Sequence, residues 1–577
     1  MTKGQKQFWL AGAALLALSA SANAAAPVKK PATKPVQLAQ SSPDKTAQNS
    51  SAGASSANSD LEARVQALED ALAARDERAQ NDRTRLSTLE QTYATQAWTF
   101  DNGRPVLATG DGRFTMAVRL RFQSDFASFS QDDTHPAGFA GPADLSTGMV
   151  IRRAYFGVEG KVYSDFGYEF RLNLGGSNGG LNATCTNPSV TTTIAGAPGA
   201  TATSTATGCA IGSIPTAGEG DPLLNKAVIS YTGIPFWHLN VGVIEPAFMF
   251  EGTTSSGQLI FLERPEIDNI AADLFGAGDS RRGIELGWAK SDTLWAGDNL
   301  AITGIFSGGK TGSAAGHGNG GDEPAQVLGR VSERLWTNGL SNISIGASAA
   351  SILYSGNAAG GGSQTINLQD RPQIRVDGTR LISTGGIAAK TGDMWAVDFG
   401  GNLNSLFIGG EYAQFTVDRQ CGTLSATLNP QCTSSTAVFD HPTFSGWYLE
   451  GSWLITGETK AYTASALNNE TGGFQAPIPS RPFSIYGGSW GAWELAVRYA
   501  NTNLNWHPTQ AASTTQLAGI LGGEQHVLSV ALNWYLNRNV RLMIDDSFVT
   551  VKKGTAAIPN RDGQDLNILG VRLQFAN

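Results

Sequence analysis

The chain has 577 residues, a net charge of −8 and only 16% charged residues. This leaves no cationic surplus for a polyanion and excludes nucleic acid as a partner. A mean hydropathy of −0.15 excludes a helical membrane protein, whereas 69 glycines suit a turn-rich β protein. The acidic excess lies after residue 100 and sums any external loops with any lumen, so it fixes no ion selectivity.

The first segment reads as a signal peptide, residues 1–24. Lys3 and Lys6 give a positive start, Phe8 to Leu18 is too short to span as a helix, and Ala22-Asn23-Ala24 is a small-x-small cleavage site. Residues 25–58 are Ala, Pro, Lys, Ser and Gln with few large apolar side chains, the composition of a disordered linker. Residues 59–95 read as a periplasmic coiled-coil helix. Ser59-Asp60-Leu61-Glu62 spells a capping box. Leu61, Val65, Leu68, Leu72, Ala79, Leu86, Leu89 and Tyr93 take heptad positions, interrupted by Arg75 and Asp82. Such a helix is marginal alone and gains stability by pairing with copies of itself, a trimer being the expected state. A solvated single helix or spacer is the alternative.

Strands alternate from about residue 112. Val118, Leu120 and Phe122 interleave with Arg119, Arg121 and Gln123, and Tyr168, Phe170 and Leu172 with Glu169, Arg171 and Asn173. Trp493, Leu495, Val497 and Tyr499 interleave with Glu494, Ala496 and Arg498, and the last eleven residues repeat the pattern through Leu569, Val571, Leu573 and Phe575. A lipid-facing arginine would cost about 2–4 kcal/mol at the bilayer midplane, so the charges face inward. The expected fold is an all-β transmembrane antiparallel barrel of about sixteen to eighteen strands over residues 100–577.

Connections alternate in length. Tyr163-Ser164-Asp165, Thr456-Gly457 and Asn537-Arg538-Asn539 are read as short turns. Residues 176–222, 307–325, 418–441, 466–489 and 505–523 are read as long loops. Trp288, Trp295, Trp336, Trp506 and Tyr535 lie near strand ends, where aromatic girdles belong. Cys185 with Cys209, and Cys421 with Cys432, sit as local pairs in loops, and an oxidising compartment favours a disulfide within each. The six histidines are scattered without zinc-ligand spacing, so neither metal nor cofactor is expected.

Several stretches resemble the phosphate-selective porins, the porin O and P family of Gram-negative outer membranes. They are IRRAYFGVEGKVYSDFGYEFRLNLGG (151–176), LNVGVIEPAFMFEGTTSSGQLIFLERP (239–265), FSGWYLEGSWLITGETKAY (444–462), GAWELAVRYANTNL (491–504) and LNWYLNRNVRLMIDD (532–546). The resemblance implies a trimer of 16-stranded barrels with an inward-folded third loop, here about 246–280. That loop holds Glu251, Glu263, Arg264, Glu266, Asp268, Asp273 and Asp279 and is acidic on balance. The chain ends in Asn577 rather than an aromatic residue, with Phe575 on the same face two positions earlier.

An anion in a narrow pore loses part of its hydration, and guanidinium groups replace it with charge-assisted hydrogen bonds. The candidates are Arg119, Arg121, Arg153 and Arg171 on early strands, Lys226, Arg264, Arg281 and Arg282 near the third loop, and Arg498, Arg541 and Arg572 on later strands. Each could instead be a wall ion pair. Three enzyme-like spellings lack the helix their chemistry needs: Gly304 to Thr311 (P-loop), Gly316 to Gly321 (dinucleotide loop) and Gly487 to Gly491 (nucleophile elbow at Ser489). The expected function is passive diffusion of small hydrophilic solutes across the outer membrane, anions such as phosphate favoured by the resemblance, with membrane lipid as the surrounding partner. A general or carbohydrate-type pore is the nearest alternative. An enzyme using Ser489 and a cell-wall tether are the more distant ones.

Overall fold

The computed structural model describes residues 53–94, 98–101, 103–109, 112–132, 144–176, 185–186, 189–193, 201–205, 208–209, 224–310, 323–356, 364–421, 438–463, 473–511, 517–554 and 562–577. The expected signal peptide and most of the linker lie outside them. Two units separate at Leu86/Ser87. Helix α1, Gly53–Ala94, lies mostly in the first. It begins six residues before Ser59, so the expected capping box lies inside the helix, where the alanines at 54 and 57 sustain it. Leu61, Val65, Leu68 and Leu72 on α1 are all exposed.

In the second unit, sixteen strands among the described residues form the barrel. They are β1 (Thr115–Gln131), β2 (Gly148–Val162), β3 (Phe166–Asn173), β4 (Leu224–Tyr231), β5 (Trp237–Ile244), β6 (Arg281–Ser291), β7 (Asn299–Lys310) and β8 (Ala325–Thr337). Then come β9 (Asn342–Tyr354), β10 (Ile387–Leu403), β11 (Leu406–Cys421), β12 (Thr443–Leu454), β13 (Ala492–Trp506), β14 (Ile520–Tyr535), β15 (Val540–Lys552) and β16 (Asp562–Ala576). Each strand pairs antiparallel with its neighbours in sequence, and β16 returns to β1 from Leu566↔Gln131 to Ala576↔Arg121, which closes the sheet.

Burial is inverted relative to a soluble sheet. On β13 Arg498 is 1% exposed while its neighbour Val497 is 49% exposed. Large apolar side chains point out and charged ones in, as a barrel surrounded by hydrocarbon requires.

Two connections fold inward from the long-loop end. Residues 245–280 carry α2 (Phe250–Thr253) and α3 (Glu266–Phe275). Pro265 pre-sets the entry of α3, and Glu266 and Asp268 meet the positive end of its dipole. Gly276 ends it at φ 86, its N–H donating to Ala271 and Ala272. A side chain at 276 would also strike Arg281. The second connection, 355–386, was not foreseen as a loop. Ile267, Ile270 and Phe275 of α3 join Ile374, Leu381 and Ile382 in one core inside the barrel. Gly570 on β16 makes room for both segments: a Cβ there would stand 2.6 Å from Ile374 and 3.0 Å from Leu262.

The short turns at 163–165 and 537–539 are as read. Thr456-Gly457 is not a turn between strands, and 466–489 is not a loop of the long-loop end. Both belong to one connection, 455–491, at the short-turn end, where Thr459 Oγ1 donates to the Asn404 carbonyl of the β10–β11 turn. Tyr535 is likewise corrected: it faces the lumen at 3% exposure and donates to Glu494 at 2.6 Å. The P-loop spelling lies within β7 as far as Lys310, and Gly316 to Gly321 fall outside the described residues.

Candidate functional site: a basic cavity in the lumen

Inside the barrel, an open cavity of about 1280 Å³ runs between the short-turn end and the inward loops. Among the described residues its lining carries fourteen basic side chains against six acidic ones. Seven of the expected residues line it: Arg119, Arg121, Arg153, Arg171, Lys226, Arg264 and Arg541.

Most of these cations are matched. Arg104 and Arg119 pair with Glu159. Arg171 lies 2.5 Å from Glu245 and 3.4 Å from Glu169, and Lys226 lies 3.1 Å from Glu169. Glu245, on the loop, is pushed up by burial, but Arg171 and Lys226 outweigh that and hold its carboxyl below the usual range. Glu263 draws Arg152 at 2.8 Å, Arg375 at 3.7 Å and Arg153 at 3.8 Å.

Three guanidiniums differ. Arg121 donates to Ser256 and Ser255 at 2.6 and 2.8 Å. Arg264 donates to the carbonyls of Glu251 and Thr254, each at 2.7 Å. Arg541 donates to the Leu259 carbonyl at 2.8 Å and to Gln574 at 3.2 Å. Among the described residues, none of the three has a carboxylate within ion-pairing distance. Their hydrogen bonds go to neutral acceptors, which hold the guanidiniums in place without a direct ion pair.

The other four expected residues fasten the walls rather than line the cavity. Arg281 donates to the carbonyls of Ala272 and Asp273, and so caps the C-terminal end of α3 with a cation. Arg282 pairs with Glu323 at 2.7 Å. Arg498 bridges the Glu263 carbonyl and Gln373, tying both inward loops to β13, and stacks 4.2 Å over Phe261. Arg572 grips Asp125 with two nitrogens, at 2.7 and 2.6 Å, and Glu263 at 2.9 Å.

Sequence reasoning missed Arg104, Arg152, Lys161, Arg371, Arg375, Arg380 and Arg538. Arg152 was hidden by a bulge. Gln123 faces Arg153 but Ser124 faces Ile151, so Arg152 is the extra residue and both arginines turn inward. The three at 371–380 arrive on the unforeseen inward loop. The acidity of the third loop also resolves here. Of its acids, Glu263, Asp273 and Asp279 line the cavity, whereas Glu251, Glu266 and Asp268 are turned away and buried.

Asp370 on the second inward loop accepts from Asn269 at 2.9 Å. Burial, with Glu266 adding to it and Arg375 opposing, raises its pKa to about 7. A raised folded-state value means that its contribution to loop docking is full in acid and is lost as pH rises toward about 7. Asp370→Asn is expected to flatten that part of the pH dependence of heat-modifiable gel mobility.

Cys185 stands directly opposite Cys209 across a short antiparallel pair, while Cys432 lies outside the described residues. Peptide mapping without reductant is expected to recover Cys185–Cys209 and Cys421–Cys432 as linked pairs. Among the described residues no cluster of His, Cys, Asp or Glu could hold a metal ion. Ser489 Oγ donates to the Pro482 carbonyl at 2.5 Å in a turn that leads into β13, not a helix.

The family described as phosphate-selective porin O and P matches residues 116–576. A protein of Caulobacter vibrioides described as uncharacterized is 29% identical over 137 residues, so the chain spans about a quarter (23%) of the length of the curated relative it matches, and the match covers 23% of the chain. Similar solved structures include an anion-selective porin from Comamonas acidovorans (11% identity, TM-score 0.40, covering 80% of this chain and 100% of that one). OmpT of Vibrio cholerae, an outer membrane protein folded in vitro, shows 9% identity and a TM-score of 0.39, covering 81% and 98%. The outer membrane channel DcaP of Acinetobacter baumannii shows 8% identity and a TM-score of 0.38, covering 80% and 97%.

Proposed function

The chain belongs to the phosphate-selective porin O and P family and is an outer-membrane porin, and from that premise we propose that its lumen passes small anions, phosphate among them, in preference to cations. The observation that carries this reading is the sign of the cavity. Its lining is strongly basic in a chain whose net charge is −8. Arg121, Arg264 and Arg541, with no direct carboxylate partner among the described residues, supply guanidinium to an anion that has shed part of its water. The hydroxyls of Ser255 and Ser256 fix Arg121 without cancelling its charge. Passage is passive and needs no cofactor. The short-turn end of the barrel faces the periplasm in this reading. The exposed Leu61, Val65, Leu68 and Leu72 of α1 are the seam on which three copies pair.

The extensive pairing of arginine with carboxylate along the same walls favours a second reading, a general or carbohydrate-type pore whose lining is polar but nearly balanced. Planar-bilayer recordings separate the two. The anion reading requires a reversal potential of anionic sign in a KCl gradient and a chloride current that phosphate reduces. Cation preference with no effect of phosphate leaves the general pore.

A further inference from the structure

The connection 455–491 does not stay at the rim. Lys460, 2% exposed, lies 3.7 Å from Glu494 on β13 and over the Phe407 ring of β11. Arg334 of β8 sits 5.3 Å over the ring of Tyr462. Phe474 packs edge-on against Tyr462 and Phe407, and against Phe250 of the third loop. Gly400 on β10 leaves the room: a Cβ there would stand 2.7 Å from Phe474 and 2.8 Å from Phe250. Its described residues 459–463 and 473–478 therefore form a strap inside the barrel, reaching from the β12–β13 edge to β8.

The cavity is bounded by strands β1–β4, which carry arginines and Lys226, and by this strap, through residues that include Thr463, Gln475, Ala476, Pro477 and Ile478. None of these strap residues is charged, and Ile478 is 54% exposed, an apolar side chain open to the cavity. An inorganic anion gains nothing from such a wall, which only displaces its water. An anion with an apolar body gains twice. A guanidinium takes the anionic head, and the strap takes the body out of water.

We propose that the strap is a specificity-determining wall of the pore and favours small organic anions with an apolar body, of the aryl carboxylate kind, over inorganic or short-chain anions of equal charge. This rests on the anion reading above and names its solute class.

The test is block of the KCl current of the full chain in a planar bilayer by acetate, benzoate and phosphate. Benzoate is expected to block at roughly fivefold lower concentration than acetate, the factor for taking about 40 Å² of ring out of water. Ile478→Ser is expected to narrow that gap to about twofold. Gln475→Glu, which sets a carboxylate in the uncharged wall, is expected to weaken block by all three anions. Equal block by acetate and benzoate, with anion preference intact, overturns the strap's role, as does a Gln475→Glu pore indistinguishable from the parent. A parent pore that prefers cations and is blocked by none of the three overturns the anion reading itself.

Discussion

Arg121→Glu is expected to move the reversal potential toward cations and to weaken phosphate block at least tenfold. The argument starts from what Arg121 lacks. Its donors go to two serine hydroxyls, its guanidinium lies 5.3 Å over the Tyr155 ring, and among the described residues no carboxylate pairs with it. A hydrogen bond from a charged donor contributes about 1.5–3 kcal/mol, or roughly 10- to 100-fold in affinity. Glutamate removes that bond and sets a like charge in the anion's path. Arg121→Lys keeps the charge but loses the planar fork, so an intermediate loss is expected. Arg119 provides the comparison. It already pairs with Glu159, and Arg119→Gln should shift selectivity less than Arg121→Gln. Equal effects at the two positions would mean that carboxylate pairing does not decide which guanidiniums serve the solute.

The barrel was legible because period-two alternation is a local signal. Val497 and Arg498 declare their faces to anyone who counts by two. The lumen was much less legible, since its contents come from segments whose destination no local pattern encodes. Residues 371–380 spell RPQIRVDGTR, an ordinary polar stretch. Its arginines reach the cavity because Ile374, Leu381 and Ile382 are buried against α3 and the wall. The two adjacent arginines at 152 and 153 break the count at a bulge that only the register with β1 reveals. Arg281, Arg498 and Arg572 are buried inside the barrel. Which inward arginine faces solute and which fastens a loop depends on acceptors hundreds of residues away, such as Glu263 for Arg572. The same distance explains why the acidic count of the third loop does not describe the lumen. Summing charge along a segment presumes that all of it faces the lumen, and half of this one faces the wall.

Those fasteners converge on a single carboxylate, and this sets the second large effect. Glu263→Ala is expected to destabilise docking of both inward loops by about 3–5 kcal/mol, the usual cost of leaving buried charges without their partner. Glu263 is 3% exposed and lies within 2.8 to 3.8 Å of Arg152, Arg572, Arg375 and Arg153. Arg572 keeps Asp125, so the three others bear most of the loss. Burial by itself would raise the Glu263 pKa, but the four guanidiniums outweigh it and hold the carboxyl well below the usual carboxylate range. With a depressed folded-state pKa, the stabilisation is present above that ordinary value and is lost only as pH falls through the lower one. The wild-type loops should therefore stay docked under mild acid. Two consequences of the substitution can be read separately. Undocking widens the lumen, so single-channel conductance rises and becomes noisier, and heat-modifiable gel mobility changes at a lower temperature. Releasing Arg152, Arg153 and Arg375 from their shared carboxylate raises anion preference whether or not the loops move. Glu263→Gln retains an acceptor and should show the second effect with less of the first. A Glu263→Ala pore with the parent's conductance, thermal transition and selectivity would mean that the loops are held by their apolar core alone, Ile267 and Phe275 against Ile374 and Leu381.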